Sequence, residues 1–193
     1  MGRRVSLTRE QVLDAAVALA NRDGFSALSI SGLARALRIR PPSLYNHVSG
    51  LRELQFELAL RGAVLVRELV ESANTYGDPY DKIRRLCHEF RTFATTQRGL
   101  YEAYLYGTAL AATDAELRAM RAPLEALQGV FADLGMDFET MVHAVRTFRG
   151  LVHGLIALEA ERVMTMPVSV DDTFGTAVEI FVSGLQKLAT DAG

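Results

Sequence analysis

Polar side chains follow a pair of prolines in the N-terminal part of the chain: Pro41-Pro42, then Ser43, Tyr45, Asn46 and His47. Hydroxyl, amide and imidazole groups form hydrogen bonds with phosphate oxygens and with the edges of bases. Leu44 and Val48 alternate with these side chains at the spacing that puts apolar groups on one helical face. The segment therefore predicts a short helix that packs by one face and presents a hydrogen-bonding face to DNA.

Two helices joined by a tight turn are needed to position this face. Residues 29–37 place Leu33, Ala34 and Leu37 on one side of a first helix. Residues 38–40, Arg-Ile-Arg, are long enough only for a tight turn. Proline is tolerated in the first turn of the second helix because the missing N–H has no intrahelical partner. We predict that this second helix starts at Pro41 and runs for about two turns.

The charge of the chain is distributed unevenly. The whole chain has 21 basic and 23 acidic residues, which alone does not indicate a polyanionic partner. Residues 1–55 nevertheless contain eight arginines and four carboxylates, a net charge of +4, so the remainder carries −6. This asymmetry puts the attraction to phosphate at one end of the chain, as expected of a DNA-binding protein. Arginine also favours bidentate contacts with phosphate or guanine.

The same region resembles the TetR family of transcriptional regulators over about residues 8 to 56. The matching positions are Ala16, Leu19, Gly24 and Phe25, then Leu33 to Leu37, then Leu44 to Val48. A later segment, Phe148 to Glu159, is similar to a helix of one TetR subgroup that carries a His-Gly pair, here His153 and Gly154. The resemblance implies a homodimeric repressor that binds a palindromic DNA operator and is released by a small-molecule effector.

The predicted DNA contacts follow from this hypothesis. We expect five residues to lie in or beside the major groove: Arg40, Pro41, Ser43, Tyr45 and Asn46. Phosphates are expected to be contacted by Ser29, His47 and Arg52. A flexible N-terminal arm that contains Arg3 and Arg4 is expected to enter the minor groove. Tyr45 and His47 have an alternative, which is to pack over the module's own core. Arg35 is interpreted as a solvated surface residue, and an N-terminal arm is often simply without fixed structure.

The rest of the chain is predicted to be helical, so the fold class is all-α. Thr8 and Gln11 predict a capping box at the start of the first helix, Gly24 its end, and Ser29 or Ser31 the cap of the second. Further helices are expected over Leu51 to Ala73 and near 80–97, 100–111, 114–134, 138–161 and 171–190, with Pro123 kinking or splitting one of them. We predict a DNA-binding domain at 1–50 and an effector-binding and dimerisation domain at 51–193.

The last two long helices carry apolar stripes that either complete the protomer core or pair with a second copy. Gly150 and Gly154 are four residues apart and would let another backbone approach closely. The resemblance favours a homodimer, and a two-fold homodimer is the commonest assembly. The predicted interface residues are Leu151, Leu155, Leu158, Phe174, Val178, Phe181 and Leu185.

An effector pocket is predicted from a high density of large apolar and aromatic side chains. Its candidate residues are Phe90, Phe93, Tyr101, Tyr104, Met120, Phe131, Met141 and Phe148. Such residues line most apolar ligand sites, but at helical spacing they also build ordinary cores. The effector is expected to be apolar or aromatic, with a polar group held by one of His88, His143, Arg146 and Arg149.

Catalytic and metal-binding patterns are missing from the sequence. There is no Glu-x-x-His pair, His88-Glu89 is followed by Thr92 where a zinc site needs histidine, and no nucleophile elbow or phosphate-binding loop occurs. We predict no enzymatic activity, no metal and no cofactor. Three alternatives remain. The first is a helical metal or haem protein in which His153 is an axial ligand, the second is an enzyme without a recognisable motif, and the third is a DNA-bending protein without an effector.

The single cysteine, Cys87, and the lack of an apolar N-terminal stretch predict a cytoplasmic protein without a membrane partner.

Overall fold

The computed structural model describes residues 7–75 and 77–191, and these residues form helices and no strand. The predicted all-α class is confirmed. The α-helices are α1 (Arg9–Asp23), α2 (Ile30–Ala36), α3 (Pro41–Leu44), α4 (Leu51–Ala73), α5 (Pro79–Thr96), α6 (Arg98–Leu110), α7 (Asp114–Ala132), α8 (Phe138–Ala160) and α9 (Val170–Asp191), with a 3-10 turn at Phe25–Ala27. No helix among the described residues has the length and apolarity needed to cross a membrane.

The first two helices begin with the caps that their sequences predict. The Thr8 hydroxyl accepts a hydrogen bond from the N–H of Gln11 at 3.2 Å, and the Gln11 side chain accepts one from the N–H of Thr8 at 3.0 Å. This reciprocal pair satisfies donors that the first helical turn leaves unpaired. Ser29, and not Ser31, caps α2 by accepting from the N–H of Gly32 at 3.1 Å.

Pro123 lies inside α7 and does not split it, which corrects one of the two outcomes expected from sequence. Proline removes a single N–H donor, and the remaining hydrogen bonds of the helix continue on both sides of it. Buried side chains on the following turns, Leu127, Val130 and Phe131, keep the apolar face of α7 packed.

Two compact units make up the chain, and each combines segments that are distant in sequence. The first contains Met1–Leu65 and Phe93–Arg121, and the second contains Val66–Thr92 and Ala122–Gly193. The contiguous domains predicted from sequence, 1–50 and 51–193, stay a prediction. The first unit takes in α6 because this helix packs directly on α1.

Gly99 permits the contact between α6 and α1. Its N–H donates to the Asn21 side chain at 2.8 Å, and that side chain donates in turn to Gln97 at 2.7 Å. A Cβ atom on Gly99 would lie only 2.4 Å from the carbonyl carbon of Ala20. No residue larger than glycine therefore fits without moving a backbone, and α6 is tied to the helix that supports α2 and α3.

Ion pairs join the helices of the second unit around an aromatic core. Lys82 of α5 pairs with Asp133 at 2.6 Å, and Arg91 of α5 pairs with Glu159 of α8 at 2.8 Å. The largest side chains that this unit buries almost completely are Phe131, Phe148 and Phe174.

Candidate nucleic-acid interface

The polar face predicted after the double proline is present on the surface of the first unit. Leu44 is fully buried and Val48 is 2% exposed, so these side chains hold the segment against the core of the unit. Tyr45 is 57% exposed, which excludes the alternative that it packs over that core. The other exposed residues of the segment are Arg40, Pro41, Pro42, Ser43 and Asn46.

The helix that carries this face is shorter than the two turns expected. α3 spans four residues, and a tighter turn continues it, with N–H groups of His47 and Val48 both donating to the carbonyl of Leu44 at 2.8 and 3.0 Å. Arg9 of α1 donates to the carbonyl of His47 at 3.2 Å, which ties the end of this turn to α1. His47 itself is half-buried.

Arginines on the supporting helices are neutralised by carboxylates. Arg9 donates to Glu53 at 2.6 Å and to Glu57 at 2.8 Å, and these hydrogen bonds raise its pKa. Hydrogen bonds from Ser49 and then from Arg9 lower the pKa of Glu53 to about 2, so the pair stays charged near neutral pH. Arg22 and Arg61 are also paired with acidic side chains.

The arginines beside α3 have a different environment. Arg35, Arg38 and Arg40 are exposed, and their guanidinium groups make no hydrogen bond or ion pair with any residue that the structure describes. The chain contains no aspartate or glutamate between Asp23 and Glu53. Positive charge that is not neutralised therefore collects around the α2–α3 turn, next to the exposed polar side chains.

Two other predicted DNA-contact residues, Ser29 and Arg52, already make hydrogen bonds within the protein. Ser29 is half-buried and its oxygen caps α2, but the hydroxyl hydrogen is still available as a donor. The exposed guanidinium of Arg52 donates to the carbonyl of Leu110 at 2.7 Å, so part of its hydrogen-bonding capacity is used by the end of α6. Arg3 and Arg4 lie outside the described residues.

The candidate effector-pocket residues divide between the two units. Phe93 and Tyr101 of the first unit are buried and meet edge to face at a centroid distance of 5.9 Å. In the second unit the rings of Phe90, Phe131 and Phe148 form a cluster, with two centroid distances of 5.7 Å. The remaining candidates are Tyr104 and Met120 in the first unit and Met141 in the second. These contacts are typical of a core and also of an apolar ligand site, so the pocket stays a prediction.

Two ionisable side chains lie among the buried rings of the second unit. His153 meets Phe90 edge to face at 6.2 Å, and burial together with the charge of Arg149 lowers the pKa of His153 to about 4. Burial raises the pKa of Cys87 to about 12. Both are uncharged at neutral pH. Residues 7–75 and 77–191 bring together no group of three or more histidine, cysteine, aspartate or glutamate side chains able to hold a metal.

The apolar stripe predicted as a dimer interface on α9 is mostly used within the protomer. Phe174, Val178 and Leu185 are each at most 2% exposed, and they leave almost no surface for a partner. Leu158 is 47% exposed, and Leu151 and Leu155 are half-buried. A stripe at helical spacing identifies a buried face but not the element that buries it.

The outward face of α8 and α9 consists of other residues. On α8 the exposed positions include Thr147, Gly150 and Gly154, and a Cβ atom on either glycine would meet nothing within 4 Å. On α9, Ile180 is 69% exposed. Between the two helices runs a largely apolar groove of about 340 Å³, lined by His143, Ala144, Thr147, Leu151, Ala177, Ile180, Phe181, Gly184, Leu185 and Leu188. Three of the interface residues predicted from sequence, Leu151, Phe181 and Leu185, line this groove.

Comparisons with known proteins give matches in both parts of the chain. The family described as "Bacterial regulatory proteins, tetR family" matches residues 12–54, and the "Tetracyclin repressor-like, C-terminal domain" matches residues 83–181. The chain is 29% identical over 187 residues to an uncharacterized HTH-type transcriptional regulator, YobS of Bacillus subtilis, covering 96% of both proteins.

Solved structures show the same fold. A protein of unknown function from Rhodococcus sp. RHA1 is similar with a TM-score of 0.76 and 20% identity, covering 95% of this chain and 98% of that one. A TetR variant from Acinetobacter baumannii AYE in complex with minocycline has a TM-score of 0.65 and 22% identity, covering 95% and 99%.

Proposed function

Because this chain belongs to the TetR family and is a DNA-binding transcriptional regulator, we propose that it is a repressor that leaves a palindromic operator when a small apolar or aromatic effector binds. Regulators of this family bind DNA operators and small-molecule effectors and act as dimers. They are not enzymes, and neither the enzyme nor the metal-protein alternative is favoured.

The observation that carries the DNA-binding proposal is the exposed polar face of α3 beside unpaired arginines. The major groove of B-DNA admits a helix and presents a distinct pattern of donors and acceptors for each base pair. Tyr45, Asn46 and Ser43 supply the matching groups, and Arg40 at the start of α3 supplies charge for a phosphate. Two copies of α3 about 34–36 Å apart would contact the two half-sites of a palindrome.

A second copy of this chain is proposed to cover the outward face of α8 and α9. The exposed small residues of that face allow close approach of helices, and the apolar groove offers surface that water solvates poorly. This proposal keeps Leu151, Leu158 and Phe181 in the interface. On α9 it adds the exposed Ile180 in place of Phe174 and Val178, which are buried within the protomer.

The effector proposal is supported by the aromatic side chains of both units and by the minocycline complex of a structural relative. His153 is a further candidate for contacting a polar group of the effector, since it is a neutral imidazole among the rings of the second unit. The polar candidates from sequence differ in placement: the ring of His88 lies 5.5 Å from that of Phe174, whereas His143 lines the α8–α9 groove.

Selection of DNA from a random pool by the purified full chain tests the central proposal. We expect a palindromic consensus and a linear fall of log affinity with log salt concentration. Arg40→Ala should reduce the magnitude of this slope by about one. Arg22→Ala is the matched control, because that exposed arginine is already paired with Asp23, and it should leave the slope unchanged. Failure to enrich any sequence would contradict the proposal.

The same binding assay distinguishes a regulated repressor from an effector-free DNA-bending protein. Aromatic and lipid-like compounds are added to the complex with the selected duplex, and thermal melting of the free protein is recorded with each of them. At least one compound should raise the melting temperature and weaken DNA binding, since a useful switch needs about 1–3 kcal/mol of coupling. A DNA affinity that ignores every compound would favour the DNA-bending alternative.

A further inference from the structure

The turn between α2 and α3 contains an arginine in a backbone conformation that favours glycine. Arg38 has a φ of 56°. Its N–H donates to the carbonyl of Arg35 at 3.1 Å, and the next N–H, of Ile39, donates to the carbonyl of Ala34 at 3.0 Å. This pair of hydrogen bonds closes the end of α2 around a left-handed residue, a position where glycine is usual because a Cβ atom is strained there.

Conformation alone does not assign a role to Arg38, because the same motif recurs at the end of α8. Arg162 has a φ of 53°, its N–H donates to Glu159 at 3.1 Å, and the N–H of Val163 donates to Leu158 at 3.2 Å. The chain therefore holds a second arginine with the same backbone geometry, and it lies in the other unit.

Arg38 differs from that second arginine in what surrounds it. Both guanidinium groups are exposed, and neither makes a hydrogen bond or ion pair within the described part of the chain. Arg38, however, lies between Arg35 and Arg40, which are equally unpaired, whereas Arg162 directly follows Glu161. The Cα atom of Arg38 lies within roughly 7 Å of that of Arg40, two residues further along. No acidic residue occurs between Asp23 and Glu53 to neutralise it.

We propose that Arg38 contacts a DNA backbone phosphate beside the groove that α3 enters. This inference rests on the proposed DNA-binding function and adds to it a contact from the turn itself. A phosphate contact is independent of base sequence, so Arg38 would fix the position of α3 on the duplex without selecting bases. The strain of a side chain at this position is then retained for the charge it delivers.

The substitution Arg38→Gly removes the side chain without disturbing the backbone, because glycine adopts the same conformation without strain. The melting temperature of the variant should be no lower than that of the wild type. Affinity for the selected operator and for a random-sequence duplex should fall by about the same factor, roughly tenfold. The magnitude of the log–log salt slope should fall by about one on both duplexes.

Three further variants serve as controls. Arg162→Gly also removes one positive charge and the strain of a left-handed arginine, and it should leave DNA affinity and the salt slope unchanged. Arg38→Asn is a second neutral variant whose residue type tolerates a positive φ, and it should reproduce the loss seen with glycine. Arg38→Lys keeps the charge and should keep most of the salt slope.

The outcomes separate this inference from the function on which it rests. Unchanged affinity and slope in both neutral variants, while Arg40→Ala loses binding, would overturn the role of Arg38 and leave the DNA-binding proposal intact. A loss confined to the selected operator would indicate a base contact and would also overturn the phosphate assignment. A wild-type chain that binds neither duplex would overturn both.

Discussion

His153 shows how the surroundings of one residue make the stability of the second unit depend on pH. The imidazole is largely surrounded by protein, beside Phe90 and near the charge of Arg149, and these surroundings lower its pKa from 6.5 to about 4. Unfolding exposes the ring to water and restores the ordinary pKa. Between these two values the unfolded chain binds a proton that the folded chain does not, so lowering the pH favours unfolding.

Because the pKa of His153 is 6.5 in the unfolded chain and about 4 in the folded chain, this single group should make the free energy of unfolding about 2 kcal/mol lower at pH 5 than at pH 7. The stabilisation is complete above pH 6.5 and is lost as the pH falls toward 4. His153→Gln should flatten the pH dependence in urea titrations, whatever its effect on stability at pH 7. His88→Gln, at an exposed histidine of the same unit outside the α8–α9 groove, is the control. Parallel profiles for wild type and His153→Gln would contradict the argument.

The exposure of the candidate DNA-contact residues in the first unit was predictable from sequence to the extent that local pattern determines it. The alternation of Leu44 and Val48 with polar residues correctly predicted that Ser43, Tyr45 and Asn46 reach the surface, whereas His47 is half-buried. The arginines were not separable in this way. Arg9 is neutralised by Glu53 and Glu57, which lie 44 and 48 residues away, and no local pattern reveals such partners.

Helix α6 is positioned on α1 by a glycine that leaves no space for a side chain. We expect Gly99→Ala to lower the free energy of unfolding by about 1–3 kcal/mol, the usual cost of overpacking, because the added Cβ atom would lie 2.4 Å from the backbone of Ala20. DNA affinity should fall as well, since α1 supports α2 and α3. Urea denaturation and the DNA titration measure the two effects.

A glycine in open space is the matched control for that substitution. Gly129 lies on the exposed side of α7, and a Cβ atom there would meet nothing within 4 Å. Gly129→Ala should therefore raise stability by about 0.5–1 kcal/mol, the helix-propensity gain alone. Equal and small effects of both substitutions would show that α6 and α1 adjust easily, and the close packing would then not constrain the first unit.

The elements were largely predictable from sequence, whereas their partners were not. The break before Pro79 and the extent of α4 follow from local stop signals and periodicity. The length of α3 was wrong because a turn and a short helix share the same apolar spacing. The interface predicted on α9 stays a prediction, since periodicity indicates that Phe174 is buried but not whether a partner or the same chain buries it.

The proposed binding to a palindrome requires two copies of the whole molecule, because the short α3 of one chain would contact only one half-site. A two-fold interface is self-complementary, so every substitution in it acts twice. The outward face of α8 and α9 has features that such an interface needs: small residues for close approach, an apolar groove and the exposed Ile180 beside it.

Ile180→Asp tests this face with little effect on the protomer, since the side chain is 69% exposed in a single chain and such surface changes cost within about 0.5 kcal/mol. In the dimer the same carboxylate would be buried without a partner, at about 3 kcal/mol or more. We expect sedimentation to show a monomer where the wild type is a dimer, and affinity for the palindrome to fall toward that of one half-site. Phe138→Asp, at a side chain 75% exposed outside the groove, should change neither. A dimer that persists in Ile180→Asp with wild-type affinity would place the interface on another face, and the spacing of the two α3 segments would then have to be derived from that face instead.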